Sequence, residues 1–221
     1  MTPEIELRTA YVLDEHGRIR STREPESTPG PLFTLIRSKS SCVWAVRADV
    51  AGEIAAELDR LASEEPPIRD FHDVPIHADR YRSLVGGRID SGPAFTFPDE
   101  IPSSRNIALV DRLEMLERYF RGWTAAEIPE RSPIMAVIEG GYPVSVCFCA
   151  RSGETAAEAG LETAASFRGR GFAARVTLAW ASAIRESGRI PLYSTSWSNA
   201  GSLGVARKLG LVQYASEWSL G

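Results

Sequence analysis

The chain has 221 residues, 43% hydrophobic and 24% charged, with a formal net charge of −4. Such a chain is long enough to bury one large core or two small ones, and its balance is that of an ordinary soluble globular protein. The acidic excess argues against nucleic acid as the main partner, no apolar run approaches the ~20 residues that span a bilayer, and the first residues lack the charge-then-apolar order of a secretory signal, so a cytoplasmic protein with no nucleic-acid or membrane partner is expected.

In chain order, Glu6 to Leu13 and Arg18 to Ser21 flank Asp14-Glu15-His16-Gly17 and read as a hairpin. Glu24 to Pro31 is a Pro/Ser/Gly-rich loop, and Leu32 to Ile36 and Cys42 to Val46 read as strands. Val50, Ile54, Leu58 and Leu61 recur at helical spacing, which predicts a helix over Asp49 to Ser63 capped by Asp49 and stopped by Pro66-Pro67. Asp79 to Val85 reads as a short helix, Pro93 to Pro102 as extended chain or loop, and Leu113 to Phe120 as a helix with one apolar face. Met135 to Ile138 and Pro143 to Ala150, joined by Gly140-Gly141, form a hairpin; a strand from Ala157 to Ala165 follows. A helix opens at Phe172 with Val176, Trp180, Ala183 and Ile184 on its buried stripe and stops at Gly188. Leu192 to Ser196 is a strand, Ala200 to Lys208 a helix capped by Ser198 or Asn199, and Leu211 to Ser219 a last strand.

Cys147 and Cys149 alternate on one strand with no His or Cys cluster nearby, so they read as core thiols, and no metal site is expected. His16, His72 and His77 are scattered and are given no chemistry. Tyr142, Trp123, Trp197 and Trp218 could line a pocket, though a Trp in a domain this size is more often core.

The most informative segment runs from Leu161 to Ala174. Two glycines, Gly169 and Gly171, let the backbone turn sharply and a ligand approach its N–H groups. The helix that follows presents unpaired N–H groups and a partial positive charge, and Arg168 and Arg170 add two full charges. Such a loop suits a phosphate or pyrophosphate. Gly169-x-Gly171-x-x-Ala174 also fits a dinucleotide fingerprint, but Leu192 to Ser196 carries no acid for the ribose and too little chain remains for a Rossmann unit. A chance basic turn is the third reading of the loop taken alone.

Arg168-x-x-Gly171-x-Ala173 matches the acyl-coenzyme A signature Arg/Gln-x-x-Gly-x-Gly/Ala, and Asn199-x-x-Ser202 leads on to Lys208-Leu209-Gly210-Leu211. From about Ile138 onward the chain resembles the GNAT family of N-acetyltransferases. Gly160-Leu161-Glu162-Thr163, Ile190 to Asn199 and Val205 to Leu211 are most similar to the zwittermicin-resistance-type subgroup. The resemblance implies an α/β (mixed α+β) GNAT fold, its central sheet mixed and mostly antiparallel with two splayed parallel strands. Residues 131–221 would bind acetyl-CoA, and residues 1–130 would form an α+β region, either a degenerate half-copy or a substrate-side domain. It implies acetyl-CoA as co-substrate, a small-molecule amine as acceptor and, as one possibility, a homodimer.

The resemblance also implies site residues. Leu161, Glu162 and Thr163 would pair with the pantetheine arm through the strand edge; Arg168, Gly169, Arg170, Gly171, Phe172, Ala173 and Ala174 would hold the pyrophosphate. Asn199 and Ser202 would touch the arm from the next helix. Direct attack by a neutral amine needs a proton acceptor, because an alkylamine with a pKa near 10 is only ~0.1% neutral at pH 7. Glu158 and Glu162 are the candidates, Glu158 lying closer to the family's usual base; for either, an edge ion pair is the bland reading. Many members place a general-acid Tyr seven residues after the Asn, where this chain has Ala206. Tyr193, Tyr214 or Ser202 would then serve, or no acid at all, since a thiol pKa near 8.5 makes thiolate a tolerable leaving group. The missing Tyr leaves one alternative: a catalytically weak acyl-CoA-binding sensor or partner module.

Overall fold

The computed structural model describes residues 1–221 apart from Ser103 and Arg105. Its elements are α1 (Pro3–Ala10), β1 (Tyr11–Leu13), β2 (Ile19–Thr22), β3 (Phe33–Arg37), β4 (Cys42–Val46), α2 (Gly52–Ala62), α3 (Ala78–Val85), β5 (Ile89–Thr96) and β6 (Ile107–Val110). They continue with α4 (Glu127–Glu130), β7 (Ile134–Glu139), β8 (Tyr142–Ser152), β9 (Ala156–Thr163), α5 (Phe172–Glu186), β10 (Ile190–Ser194), α6 (Ala200–Leu209) and β11 (Val212–Leu220). A mixed α/β fold results, as the resemblance implies.

Nine strands form one sheet in the order β4-β3-β11-β5-β10-β9-β8-β7-β6, while β1 and β2 pair separately. Among the described residues only the β9–β10 pairing of this sheet is parallel. Its register runs from Ile190 opposite Ala156 to Leu192 opposite Glu158 and stops there. Beyond Glu158 the two strands part. On the other side of β10 lies β5, and β5 is also the partner of β11. Strands from residues 33–96 and from residues 107–220 thus share one sheet, with β5 seated between two C-terminal strands.

The sheet is covered on both faces. On one face α5 buries Val176, Trp180 and Ile184 against β7, β8 and β9, and α2 and α3 cover Phe33, Leu35 and Trp218. On the other, Leu116, Phe120 and Trp123 pack over Ile134, Val146 and Phe148, and α1 lies against β3, β4, β8 and β9 with Leu7 and Ala10 buried. Alternation along β9 sends Ala157, Ala159 and Leu161 toward α5 and Glu158 and Glu162 the opposite way.

Several sequence expectations shift. Glu6 to Ala10 is helix rather than strand; Pro3 near its start and Glu4 and Glu6 in its first turn suit a helix N-terminus. Pro93 to Pro102, expected as extended chain or loop, is extended through Thr96, and Gly92 and Pro93 lie within a central strand. β10 has ended by then, and Thr195 N–H donates to the Pro93 carbonyl at 3.3 Å. A Cβ on Gly92 would meet the Thr195 carbonyl oxygen at 1.7 Å, so only glycine fits. Leu113 to Phe120 is a 3₁₀ turn over Leu113–Met115 followed by further turns. Leu116 and Phe120 are buried as their spacing suggests, but the Leu116 carbonyl closes both a 3.2 Å bond to Tyr119 N–H and a 2.9 Å bond to Phe120 N–H, and no regular helix forms. Asp49 does not cap α2; it is taken by Arg47 at 2.7 Å, and Ala51 holds the cap position.

Candidate active site

Where β9 and β10 part, a groove of about 750 Å3 opens between β9, the loop after it, α5 and α6. Residues 159–163 of β9 still pair with β8, but their β10 side has no strand partner, leaving backbone N–H and C=O groups for an extended ligand. Gly169 and Gly171 both have positive φ, 76° and 80°, and Gly171 is the N-cap of α5. An added Cβ on Gly171 would lie 2.7 Å from the Lys208 ammonium nitrogen. Lys208, part of the Lys-Leu-Gly-Leu block in the sequence but given no role there, is thus brought from the last turn of α6 onto the glycine loop.

The groove gathers Leu161, Glu162, Thr163, Arg168, Gly169, Gly171, Phe172, Ala173, Ala174, Asn199 and Ser202. Arg170 is turned away: its guanidinium stacks 4.7 Å from the centre of Phe172 and lies 4.0 Å from Glu139. Arg168 reaches back so that its Nε donates to the Thr163 carbonyl at 3.2 Å, tying the loop to the end of β9. The Thr163 hydroxyl is 2.7 Å from that of Ser145. Asn199 Oδ1 accepts from Ser202 N–H at 3.0 Å, which caps α6. Tyr119 and Phe167, absent from the sequence reading, add an aromatic wall with ring centres 5.4 Å apart.

The proposed catalytic residues separate. Tyr193 is buried in the core, and its hydroxyl lies 3.0 Å from Ser202 Oγ; burial raises its pKa. Tyr193 therefore reaches the groove only through Ser202. Ala206, at the position where a Tyr is common, is buried beside it. Tyr214 points the other way and hydrogen-bonds Glu6. Glu162 sits in the groove near Trp123; burial pushes its carboxyl upward, and the Trp123 contact opposes that shift.

Glu158 does not line the groove. It is 5% exposed and faces a second, smaller cavity of about 220 Å3 on the α1 side of the strand parting. One of its oxygens accepts from Arg151 Nη1 at 3.0 Å, and the other accepts from the Ser194 hydroxyl. Arg151 is also bonded to Glu24 at 2.9 Å. The Glu158 carboxylate drives the Arg151 guanidinium pKa further up, against burial. The same cavity is lined by Glu6, Asp90 and Glu217. None of Tyr142, Trp123, Trp197 and Trp218 lines it. Trp123 meets Phe148 edge-on at 4.7 Å, Trp197 stacks on His72 at 3.8 Å, and Trp218 packs near Tyr81.

The residues present fit an acyl-coenzyme A: an unpaired strand edge for a chain of amides, a glycine turn held at positive φ, and cations at Arg168 and Lys208 for phosphate oxygens. Among the described residues no three His, Cys, Asp or Glu side chains are grouped to hold a metal ion.

Comparison with known proteins points to a family for the C-terminal part. Residues 134–219 match the family model described as GNAT acetyltransferase. Among solved structures, the chain is similar to a GNAT-family acetyltransferase from Colwellia psychrerythraea (12% identity over 81% of this chain and 76% of that one, TM-score 0.50). It is also similar to a GNAT-family protein from Novosphingobium aromaticivorans (22% identity, 60% and 64%, TM-score 0.49). A third is a GCN5-related N-acetyltransferase-like protein from Streptococcus suis (18%, 87% and 85%, TM-score 0.49). The match spans 64% of the Novosphingobium protein's length. At these identities the likeness is one of fold. No curated protein matches significantly. No helix among the described residues is long and apolar enough to cross a membrane.

Proposed function

We propose that the chain transfers the acetyl group of acetyl-CoA to the amine of a small molecule by direct attack, with both substrates bound at once. The observation that carries this is the parting of β9 and β10 beyond Glu158, which opens the basic, glycine-turned groove on one side and the Glu158 cavity on the other. Similarity of Gly160–Thr163, Ile190–Asn199 and Val205–Leu211 to the zwittermicin-resistance-type subgroup supports a small-molecule acceptor.

Acetyl-CoA supplies an activated thioester. The N–H groups at Gly169 to Ala174 and the Lys208 ammonium neutralise the diphosphate, while the free edge of Leu161 to Thr163 aligns the arm. Ser202 lines the groove, and its hydroxyl, backed by the Tyr193 phenol, can hydrogen-bond the departing sulfur. Tyr193 acts through Ser202 and is a positioning residue. Glu158, held at both oxygens by Arg151 and Ser194, fixes the end of the β9–β10 pairing. Glu162 lies in the cofactor groove against Trp123, away from the smaller cavity.

Calorimetry with coenzyme A and thiol release from acetyl-CoA test this reading. Binding with one-to-one stoichiometry and amine-dependent thiol release are expected. Absence of any binding heat overturns the reading, and binding without thiol release across a broad amine panel overturns the enzymatic part.

A further inference from the structure

The smaller cavity has a wall that the sequence did not connect with chemistry. Glu6, on α1, is 2% exposed and lines it. Its Oε2 accepts from the Tyr214 hydroxyl. Among the described residues it has no ion pair, whereas Glu158 across the cavity is engaged at both oxygens and the Arg151 guanidinium is shared between Glu158 and Glu24. The groups that face Glu6 are Tyr214 and Glu217 on β11, Glu158 on β9 and Arg151 on β8. Glu217 accepts from the Tyr11 and Thr34 hydroxyls at 2.8 Å each, both on Oε1.

We propose that this cavity receives the acceptor and that Glu6 takes the proton that frees its amine. The inference rests on the acetyl-transfer reading above and adds the acceptor's chemical class. A volume of about 220 Å3 takes a small amine, with a short chain or a single ring, so the wall groups rather than the size set the class. Carboxyl groups dominate the wall (Glu6, Asp90, Glu158, Glu217), and the one guanidinium is spent on two of the chain's own acids. The acceptor is therefore a small primary ammonium compound without a carboxylate of its own.

The steps balance. The ammonium gives one proton to Glu6. The neutral nitrogen forms a bond to the thioester carbon, and the C–S bond breaks with its electron pair going to sulfur. The nitrogen's second surplus proton passes to the sulfur, leaving an amide and a free thiol, and Glu6 returns its proton to water. Burial, and next the Glu158 charge, push the Glu6 carboxyl up to about 8, close to the working pH, where a proton acceptor is most effective.

The test uses the full chain with acetyl-CoA and three probes: cadaverine, n-butylamine, and β-alanine as the carboxylate-bearing control. Thiol release with the first two is expected to exceed that with β-alanine at least about tenfold. Glu6→Gln is expected to lower kcat/KM about 100-fold or more at pH 7.5 and to abolish the acid limb near pH 8. Glu6→Asp retains that limb. Calorimetry should show cadaverine binding weakened about tenfold in Glu6→Gln, with coenzyme A affinity unchanged. Circular dichroism checks folding; if Glu6→Gln does not fold, the presence or loss of the acid limb in Glu6→Asp decides. An unchanged profile in Glu6→Gln, preference for β-alanine, or no thiol release with any probe by a chain that binds acetyl-CoA overturns the inference. Failure to bind acetyl-CoA overturns the reading beneath it, and this inference with it.

Discussion

At the scale of single residues, the site depends on a few atoms whose neighbours leave little freedom. Gly171 combines a φ of 80° with a lysine nitrogen where a Cβ would go. Gly171→Ala therefore strains the turn and displaces Lys208, and coenzyme A affinity measured by calorimetry should fall about tenfold or more. Lys208→Met should lower the same affinity less, and the loss should shrink as salt is added, since a screened charge is what it removes. Glu6 makes a prediction about stability. Its folded-state pKa of about 8 lies above the ordinary 4.5, so the folded chain binds a proton that the unfolded chain has released. The contribution is complete below about pH 4.5 and is lost as pH rises through about 8. Thermal melts from pH 5 to pH 8.5 should show wild type losing stability relative to Glu6→Gln; parallel curves would remove Glu6 as the titrating group.

Among the elements, the two helices flanking the larger groove were legible because their punctuation is local. A glycine pair opens α5, Asn199 caps α6 with a 3.0 Å bond to Ser202 N–H, and Gly210 closes α6 with a φ of 62°. Asn199→Ala should cost about 1 kcal/mol in denaturant unfolding and also loosen coenzyme A, because it frees the turn that carries Ser202. The groove residues fell together for the same reason: Leu161 to Ala174 is one short stretch, so spacing alone brings its members near each other. The smaller cavity was illegible because its walls come from α1, β5, β8, β9, β10 and β11. Glu6 reads from sequence as a strand residue with nothing to mark it, and only tertiary packing sets it opposite Glu158. β5 was hidden by its own Gly92 and Pro93, whose local preference is turn. The close passage of Thr195 over Gly92, a contact between residues far apart in the chain, overrides that preference. Leu113 to Phe120 shows the converse error: apolar spacing gave the right buried residues and the wrong backbone.

For the whole molecule, the sheet order decides what can stand alone. β10 and β11 are both hydrogen-bonded to β5, and β11 also to β3. A fragment of residues 131–221 would leave a gap the width of one strand between them and uncover Phe95 and Phe97's place in the α5 core. We expect that fragment to lack a cooperative thermal transition, and expect residues 1–130 added in trans to restore one. An independent melt of the fragment would show that the C-terminal part is a domain in its own right.

That same arrangement has a consequence during synthesis. When the ribosome has finished Thr96, both margins of that strand are bare, and neither of its future neighbours has yet been translated. At about 5–20 residues per second, the wait for Ile190 lasts roughly 5–20 s. Throughout it the nascent chain carries an unsatisfied ribbon of amides that could recruit another copy. Pro93 and Gly92, awkward for pairing with strangers, sit in the middle of that ribbon and make the delay safer.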